Sequence, residues 1–163
     1  MLQLVGLIIM DNDFYQERAD KFIFSVKRGY LYTEDNIWVN VKESEAEFGV
    51  TDFLQRRGGD IVFVQLPKKG GTVKRGEEIS SFETIKAVVS IASPIDGVVT
   101  EVNTELSDKP ELINEDPYCE GWIALISPSQ LEEDRKHLMT AEKYFELMKS
   151  NIKNELKSKN REA

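Results

Sequence analysis

The chain has 163 residues, 40% of them hydrophobic and 31% charged, which suits one globular domain with a core of its own. Its 29 acidic and 21 basic residues leave a formal net charge of −8, a poor match for nucleic-acid phosphates, so proteins are the expected macromolecular partners. A single cysteine, Cys119, excludes an internal disulfide and fits a reducing compartment, read here as the cytoplasm.

Residues 1–10 (MLQLVGLIIM) are apolar but carry no positive leader and no small-residue cleavage site, so no secretory signal is expected. The run is too short to span a bilayer and reads as an edge strand or a hydrophobic arm against the core. Residues 11–29 mix charges with aromatics and suggest a short helix followed by a strand. Ile37–Val41 alternates as a strand does. Residues 51–57 (TDFLQRR) read as one or two helical turns, with Thr51 as N-cap and Gly58-Gly59 as the stop. Residues 61–66 (IVFVQL) are β-branched and aromatic, a strand that Pro67 closes.

A weak internal echo follows. Residues 67–73 (PKKGGTV) and 94–99 (PIDGVV) each carry Pro-x-x-Gly ahead of β-branched residues. Gly70 lies 16 residues before Lys86 and Gly97 lies 11 after it. Two similar β units on either side of one hairpin suggest a sandwich with approximate two-fold symmetry. The hairpin is the stretch FETIKAVVS, residues 82–90, where residues 79–82 and 88–91 read as strands and Lys86 stands between them. It has no Asn-Gly or Asp-Gly, the usual short-turn signal.

Beyond a strand over residues 98–102 come a loop or short helix (103–112), a turn (114–117) and a buried strand (122–126). Residues 127–129 (SPS) open a helix, and a second begins near Thr140, where Ala141, Tyr144, Phe145, Met148 and Ile152 recur at helical spacing. From Lys153 the charged tail is expected to fray.

No phosphate-binding loop, Gly-x-Gly-x-x-Gly, paired Cys-x-x-Cys or His-Glu-x-x-His occurs, so neither a nucleotide nor a metal site is expected. The sole histidine, His137, follows Lys136 in a charged stretch and reads as a surface residue, and nothing in the sequence sets it beside Cys119. No pair of carboxylates is singled out for acid–base work. The chain is therefore not expected to be an enzyme, which leaves binding, structure or the carrying of a group. A lysine at the summit of a rigid hairpin has the geometry of an attachment point, because tethering turns delivery between active sites into a local search.

Residues from about 30 to 148 resemble the H protein of the glycine cleavage system. The stretches FGVTDFLQ, GDIVFVQLP, FETIKA, SPIDGVVTEVN and KPELINEDPYCEGW carry the likeness, in family order and at family spacing. It implies a mainly β fold, a lipoyl/biotinyl-type β-sandwich (barrel-sandwich hybrid) with short helices and a C-terminal helix. The implied division is an N-terminal extension over 1–29, the β domain over 30–128 and C-terminal helices and tail over 129–163. It also implies lipoate in covalent linkage to Lys86, with Glu83 as the acidic position near the tip and Gly70 and Gly97 as structural glycines. Biotin carriers flank their lysine with methionines, whereas the neighbours here are Ile85 and Ala87.

In that family the arm takes an aminomethyl group from a pyridoxal-phosphate glycine decarboxylase and passes it to a tetrahydrofolate-dependent aminomethyltransferase. A flavoprotein, dihydrolipoyl dehydrogenase, reoxidises the arm, and a lipoyl ligase or transferase installs it. The chain departs from the pattern where the loaded arm is sheltered: Asn36-Ile37-Trp38 stands for the usual His-Glu-Trp, and Ser90 for the usual acidic residue four after the lysine. Each change would remove a charge-assisted partner of about 1.5–3 kcal/mol from a cationic amine. Cys119 also stands where the family has a small or polar residue. Two other readings follow: an H-like lipoate carrier for sulfur-compound oxidation beside heterodisulfide-reductase-like proteins, and an interaction module that keeps the fold without the modification.

Overall fold

The computed structural model describes residues 13–162. The apolar segment 1–10 lies outside the described residues. Charged and aromatic residues 14–27 form a hairpin, β1 (Phe14–Ala19) and β2 (Phe22–Lys27), where a helix and a strand were expected. The reason is a period of two: Phe24 and Val26 are buried and the residues between them less so. Asp20 supplies the turn in the left-handed region, at φ 57°.

Then come β3 (Leu31–Tyr32), β4 (Ile37–Val41), β5 (Ala46–Val50), α1 (Asp52–Gly58), β6 (Ile61–Gln65), β7 (Thr72–Val73), β8 (Glu78–Thr84), β9 (Val88–Ala92) and β10 (Gly97–Val102). The chain continues through α2 (Glu105–Asp108), α3 (Leu112–Glu115), β11 (Ala124–Pro128), α4 (Leu131–Arg135), β12 (Met139–Thr140) and α5 (Ala141–Glu162). A seven-stranded sheet, in the order β12-β3-β4-β5-β11-β10-β7, faces a three-stranded sheet, β6-β8-β9. Between them lie Val39, Phe48, Val99 and Ile126 from the first sheet and Val64, Phe82 and Ile91 from the second, all buried in one cluster. The expected mainly β sandwich with a C-terminal helix is the observed one.

The two echoing segments pair with each other. Gly70 N–H donates to Val99 O at 2.8 Å, Val99 N–H to Gly71 O at 2.9 Å, and Gly97 registers with Val73. Gly70 has φ +85°, a backbone that a side chain would strain. Gly97 is required by close approach, since a Cβ there would lie 2.2 Å from Ser127 O.

A second, aromatic cluster lies outside the sandwich. Phe24, Val26, Tyr32, Trp38, Phe53, Tyr118, Tyr144, Met148 and Ile152 draw the β1–β2 hairpin, α1 and α5 together. Thr51 caps α1 by accepting from Leu54 N at 3.3 Å, and Gly59, at φ 85°, ends it. The helix expected to open at residues 127–129 begins later: Pro128 is the last residue of β11 and α4 starts only at Leu131, because Ser129 N–H is still bonded across to Asp96 O. The tail expected to fray is helical as far as Glu162. It is rich in Lys and Glu, good helix formers, and it is tied down where Arg57 Nε meets Glu155 Oε1 at 2.7 Å.

Candidate functional site

The β8–β9 connection closes without any left-handed residue. Among the described residues, positive φ values fall at Asp20, Asn36 and Gly29, Gly59, Gly70 and Gly76, none of them at the tip. Thr84 does the work of the missing Asn-Gly. Its backbone N–H donates to Ala87 O at 2.9 Å, and its hydroxyl accepts from Ala87 N–H at 3.2 Å. Ile85 and Lys86 are left projecting, with Ile85 92% exposed and Lys86 also exposed. An exposed primary amine on a pinned tip is what an amide-linked prosthetic group needs, so Lys86 fits that role sterically.

Glu83 is exposed on the strand below. It registers with Phe63 of β6 on one side and Val88 of β9 on the other, so a carboxylate sits between two exposed apolar side chains. The Lys86 stem leans towards the end of α1, since a Cβ built on Gly59 would lie 3.9 Å from Lys86 Cε.

Two clefts neighbour the hairpin, and α1 contributes to both. One, of about 460 Å³, is lined by Glu34, Asp35, Asn36, Leu54, Glu78 and Ser90 among others, with no basic side chain on its wall. Ser90 Oγ donates to Glu78 Oε1 at 2.9 Å. The acidic residue missing at position 90 is thus answered by a carboxylate from the neighbouring strand. Of the two departures read from the sequence, only Ser90 lines this cleft. Ile37 is 1% exposed and packs in the sandwich core, and its neighbour Asn36 lines the cleft instead. Asn36 adopts φ 67°, and its Oδ1 accepts from the Tyr144 hydroxyl at 2.7 Å, which fixes it to α5.

The other cleft, of about 490 Å³, is lined by Phe22, Phe24, Arg56, Arg57, Lys86, Glu155, Ser158 and Lys159. Its walls come from β2, the last turn of α1, the hairpin tip and the last turns of α5. Arg56 is held through Nε by Asp52 Oδ2 at 3.3 Å, and Arg57 through Nε by Glu155.

The residues that position α1 come from its own first turn and from segment 114–118. Asn114, read as part of a turn, accepts from Ile61 N–H at 2.9 Å and donates through Nδ2 to Gln55 Oε1 and Gly59 O. Buried Asp52 accepts from Ser25 N at 2.9 Å and from Gln55 Nε2 at 2.8 Å, joining the hairpin to α1. Tyr118 completes the joint, accepting from Asp52 N–H at 3.2 Å and donating to Ser25 O at 2.6 Å. Burial, first, and then the neighbouring Tyr32 and Tyr144 push the Tyr118 phenol well above its ordinary range. Their sequence signals are local ones: Asp52 follows the Thr51 cap, and Asn114 and Tyr118 lie on either side of Pro117.

Cys119 is exposed, and desolvation followed by Asp116 and Glu120 raises its thiol, which disfavours the thiolate. His137 is exposed and lines a different cavity, together with Arg75 and Met139.

A family profile described as "Glycine cleavage H-protein" matches residues 30–151. The chain is 49% identical over 128 residues to "Probable glycine cleavage system H protein" of Pyrococcus abyssi, covering 78% of this chain and 95% of the relative. It is 42% identical over 146 residues to "Glycine cleavage system H protein 4" of Aquifex aeolicus, covering 80% of that relative. That alignment spans 88% of this chain, more than residues 30–163 can supply, so it runs into the residues before 30. A crystal structure of a glycine cleavage system H protein from Mycobacterium marinum superposes with a TM-score of 0.63 at 33% identity, over 71% of this chain and 92% of that one.

Proposed function

The chain belongs to the glycine cleavage H-protein family, and from that premise we propose that it is a lipoyl carrier with Lys86 as the attachment point. Members of this family carry lipoate and act as carriers for enzymes of the glycine cleavage system. The single observation that carries the assignment to Lys86 is its exposure on a tip that Thr84 and Ala87 hold closed, inside the matched segment. A lipoyl group there would supply a disulfide able to open and take up an aminomethyl group. The partners are then a lipoyl ligase or transferase, the glycine decarboxylase, the aminomethyltransferase and dihydrolipoyl dehydrogenase, in the cytoplasm.

This chain's own residues have two tasks. Thr84 and Ala87 keep the amine presented, and the cleft of Glu34, Asp35, Glu78 and Ser90 offers negative charge to an ammonium. Those carboxylates favour the glycine cargo over the sulfur-oxidation reading, for which loss of charge at Ile37 and Ser90 was the motive.

After co-expression with a lipoyl ligase, intact mass should show one lipoyl addition on the wild type and none on Lys86→Arg. An unmodified wild type overturns the assignment and leaves the interaction-module reading. A lipoylated protein that fails to support glycine-dependent carbon dioxide exchange with its decarboxylase overturns the cargo.

A further inference from the structure

Five of the residues around the cleft of Phe22, Arg56, Arg57 and Lys159 lie outside the family-matched segment 30–151: Phe22, Phe24, Glu155, Ser158 and Lys159. This cleft is therefore completed by residues outside that segment, from β2 and from the last turns of α5. Its chemistry is opposite to that of the carboxylate cleft. Apart from Lys86, the wall holds three cations, Arg56, Arg57 and Lys159, against one carboxylate, Glu155. Asp52 lies behind the wall, buried. In a chain of net charge −8, such a concentration of positive charge is local rather than general.

The two guanidinium groups are also set in place. Each is anchored through Nε, Arg56 to Asp52 at 3.3 Å and Arg57 to Glu155 at 2.7 Å. Each also lies over an aromatic ring, Arg56 over Phe22 at 5.8 Å and Arg57 over Phe53 at 5.2 Å. A guanidinium anchored at Nε keeps its terminal amino groups as further donors, the fork that recognises carboxylates and other oxyanions. Phe22 is 46% exposed and offers an apolar face for a hydrocarbon chain. The Lys86 side chain forms part of the same wall, leaning over Gly59.

We infer that this cleft is a second docking place for the arm rooted on Lys86, selective for an arm whose end bears negative charge. The occupant is this chain's own prosthetic arm, because Lys86 is one of the lining residues and acylation would remove the lysine's own charge while leaving the other three cations. The inference rests on the reading of Lys86 as the attachment point. It assigns to the two clefts a division by charge: an ammonium-bearing end belongs among Glu34, Asp35 and Glu78, and an anionic end among Arg56, Arg57 and Lys159.

The test uses the full-length lipoylated protein, its modification first verified by mass. With Cys119→Ser removing the exposed protein thiol, the reduced arm is alkylated in three parallel samples with iodoacetate, iodoacetamide or 2-bromoethylamine. These give ends of similar size that are anionic, neutral and cationic. Side-chain resonances of Arg56, Arg57, Phe22 and Phe24 are then compared with those of Asn36 and the Ser90 amide. The carboxymethyl arm should shift the first set, the aminoethyl arm the second, and the carbamidomethyl arm neither as strongly. Arg56→Gln with Lys159→Gln, both at exposed positions, should remove most of the carboxymethyl shift, as should 1 M salt. Equal shifts of the first set by all three ends, or no shift by the carboxymethyl arm, overturn the inference while leaving Lys86 as the carrier residue. A chain that takes no lipoyl group overturns both.

Discussion

The two clefts beside the hairpin differ in what builds them. The carboxylate cleft is walled by Glu34, Asp35, Asn36 and Gly76 and by Glu78 and Ser90 of the β8–β9 ladder, all within the segment that matches the family. The cationic cleft needs Phe22 and Phe24 from the N-terminal hairpin and Glu155, Ser158 and Lys159 from the last turns of α5. One is a property of the sandwich, whose interior is mostly aliphatic and joined by long β ladders. The other is a property of an aromatic annex that packs on Tyr32 and Trp38 of the sheet and is joined further by buried polar contacts. The difference teaches that one hairpin can be served by a wall built wholly within the family-matched segment and by another that residues outside that segment complete.

Alkaline pH should break the annex first. Tyr32, Tyr118 and Tyr144 all have phenols raised in the folded state, with burial the largest cause in each. A raised acid favours the neutral form when folded, so this stability is fully present below the unfolded value near 10 and is lost as pH rises above it. Each such tyrosine forfeits about 1.4 kcal/mol per pH unit above 10, so the three together forfeit roughly 4 kcal/mol at pH 11. Tyr118 would also lose the proton it donates to Ser25 O. Near-ultraviolet circular dichroism followed against pH should show the aromatic signal falling while far-ultraviolet β signal persists. Simultaneous loss of both signals would deny the annex its independence.

Asp52→Ala should act on the same joint by a different route. It leaves Ser25 N–H, the Gln55 amide and the Arg56 guanidinium without their acceptor in a place only 6% exposed. Loss of a buried charged hub of this kind costs about 3 kcal/mol. Hydrogen exchange should accelerate in β2 and the last turns of α5, with β4–β5 and β10–β11 amides little changed. Uniform acceleration would mean that the hairpin is integral to the sandwich.

The smallest effect lies on the other cleft. Glu34→Gln, Asp35→Asn and Glu78→Gln replace exposed carboxylates, each contributing at most about 1 kcal/mol to a neighbouring cation. Together they should weaken the aminoethyl-arm shift at Asn36 and Ser90 roughly threefold to tenfold and leave the carboxymethyl shift at Arg56 untouched. A change at both clefts would show that α1 couples them.

Much of the sandwich could be read from residues 30–128. Alternation in Ile37–Val41, the β-branched run at 61–65 and the Pro-x-x-Gly echo each placed a strand where one is found. The cap at Thr51 and the stop at Gly59 were equally local signals. The N-terminal hairpin was not read, because its turn at Asp20-Lys21 has no glycine and its buried pair, Phe24 and Val26, is short. The helical tail reads as a fraying end because beyond Ile152 only Leu156 continues the apolar stripe, and the later turns find their neighbours in Arg57 and the β1–β2 hairpin.

The sequence by itself pointed to Lys86 as the residue that the proposed function would modify, since FETIKA is a contiguous motif and a three-residue connection is a local object. It also marked Ser90 as a departure. What charge the arm meets was decided only by the tertiary structure. Glu78 reaches Ser90 across a strand pair, Asn36 rather than Ile37 faces the cleft, and Lys86 shares a wall with Phe22 and Lys159 from the two ends of the chain. Electrostatic environment is set by distances in space, and pairings such as Phe22 with Lys159 leave no periodicity along the chain for a reader of sequence to find.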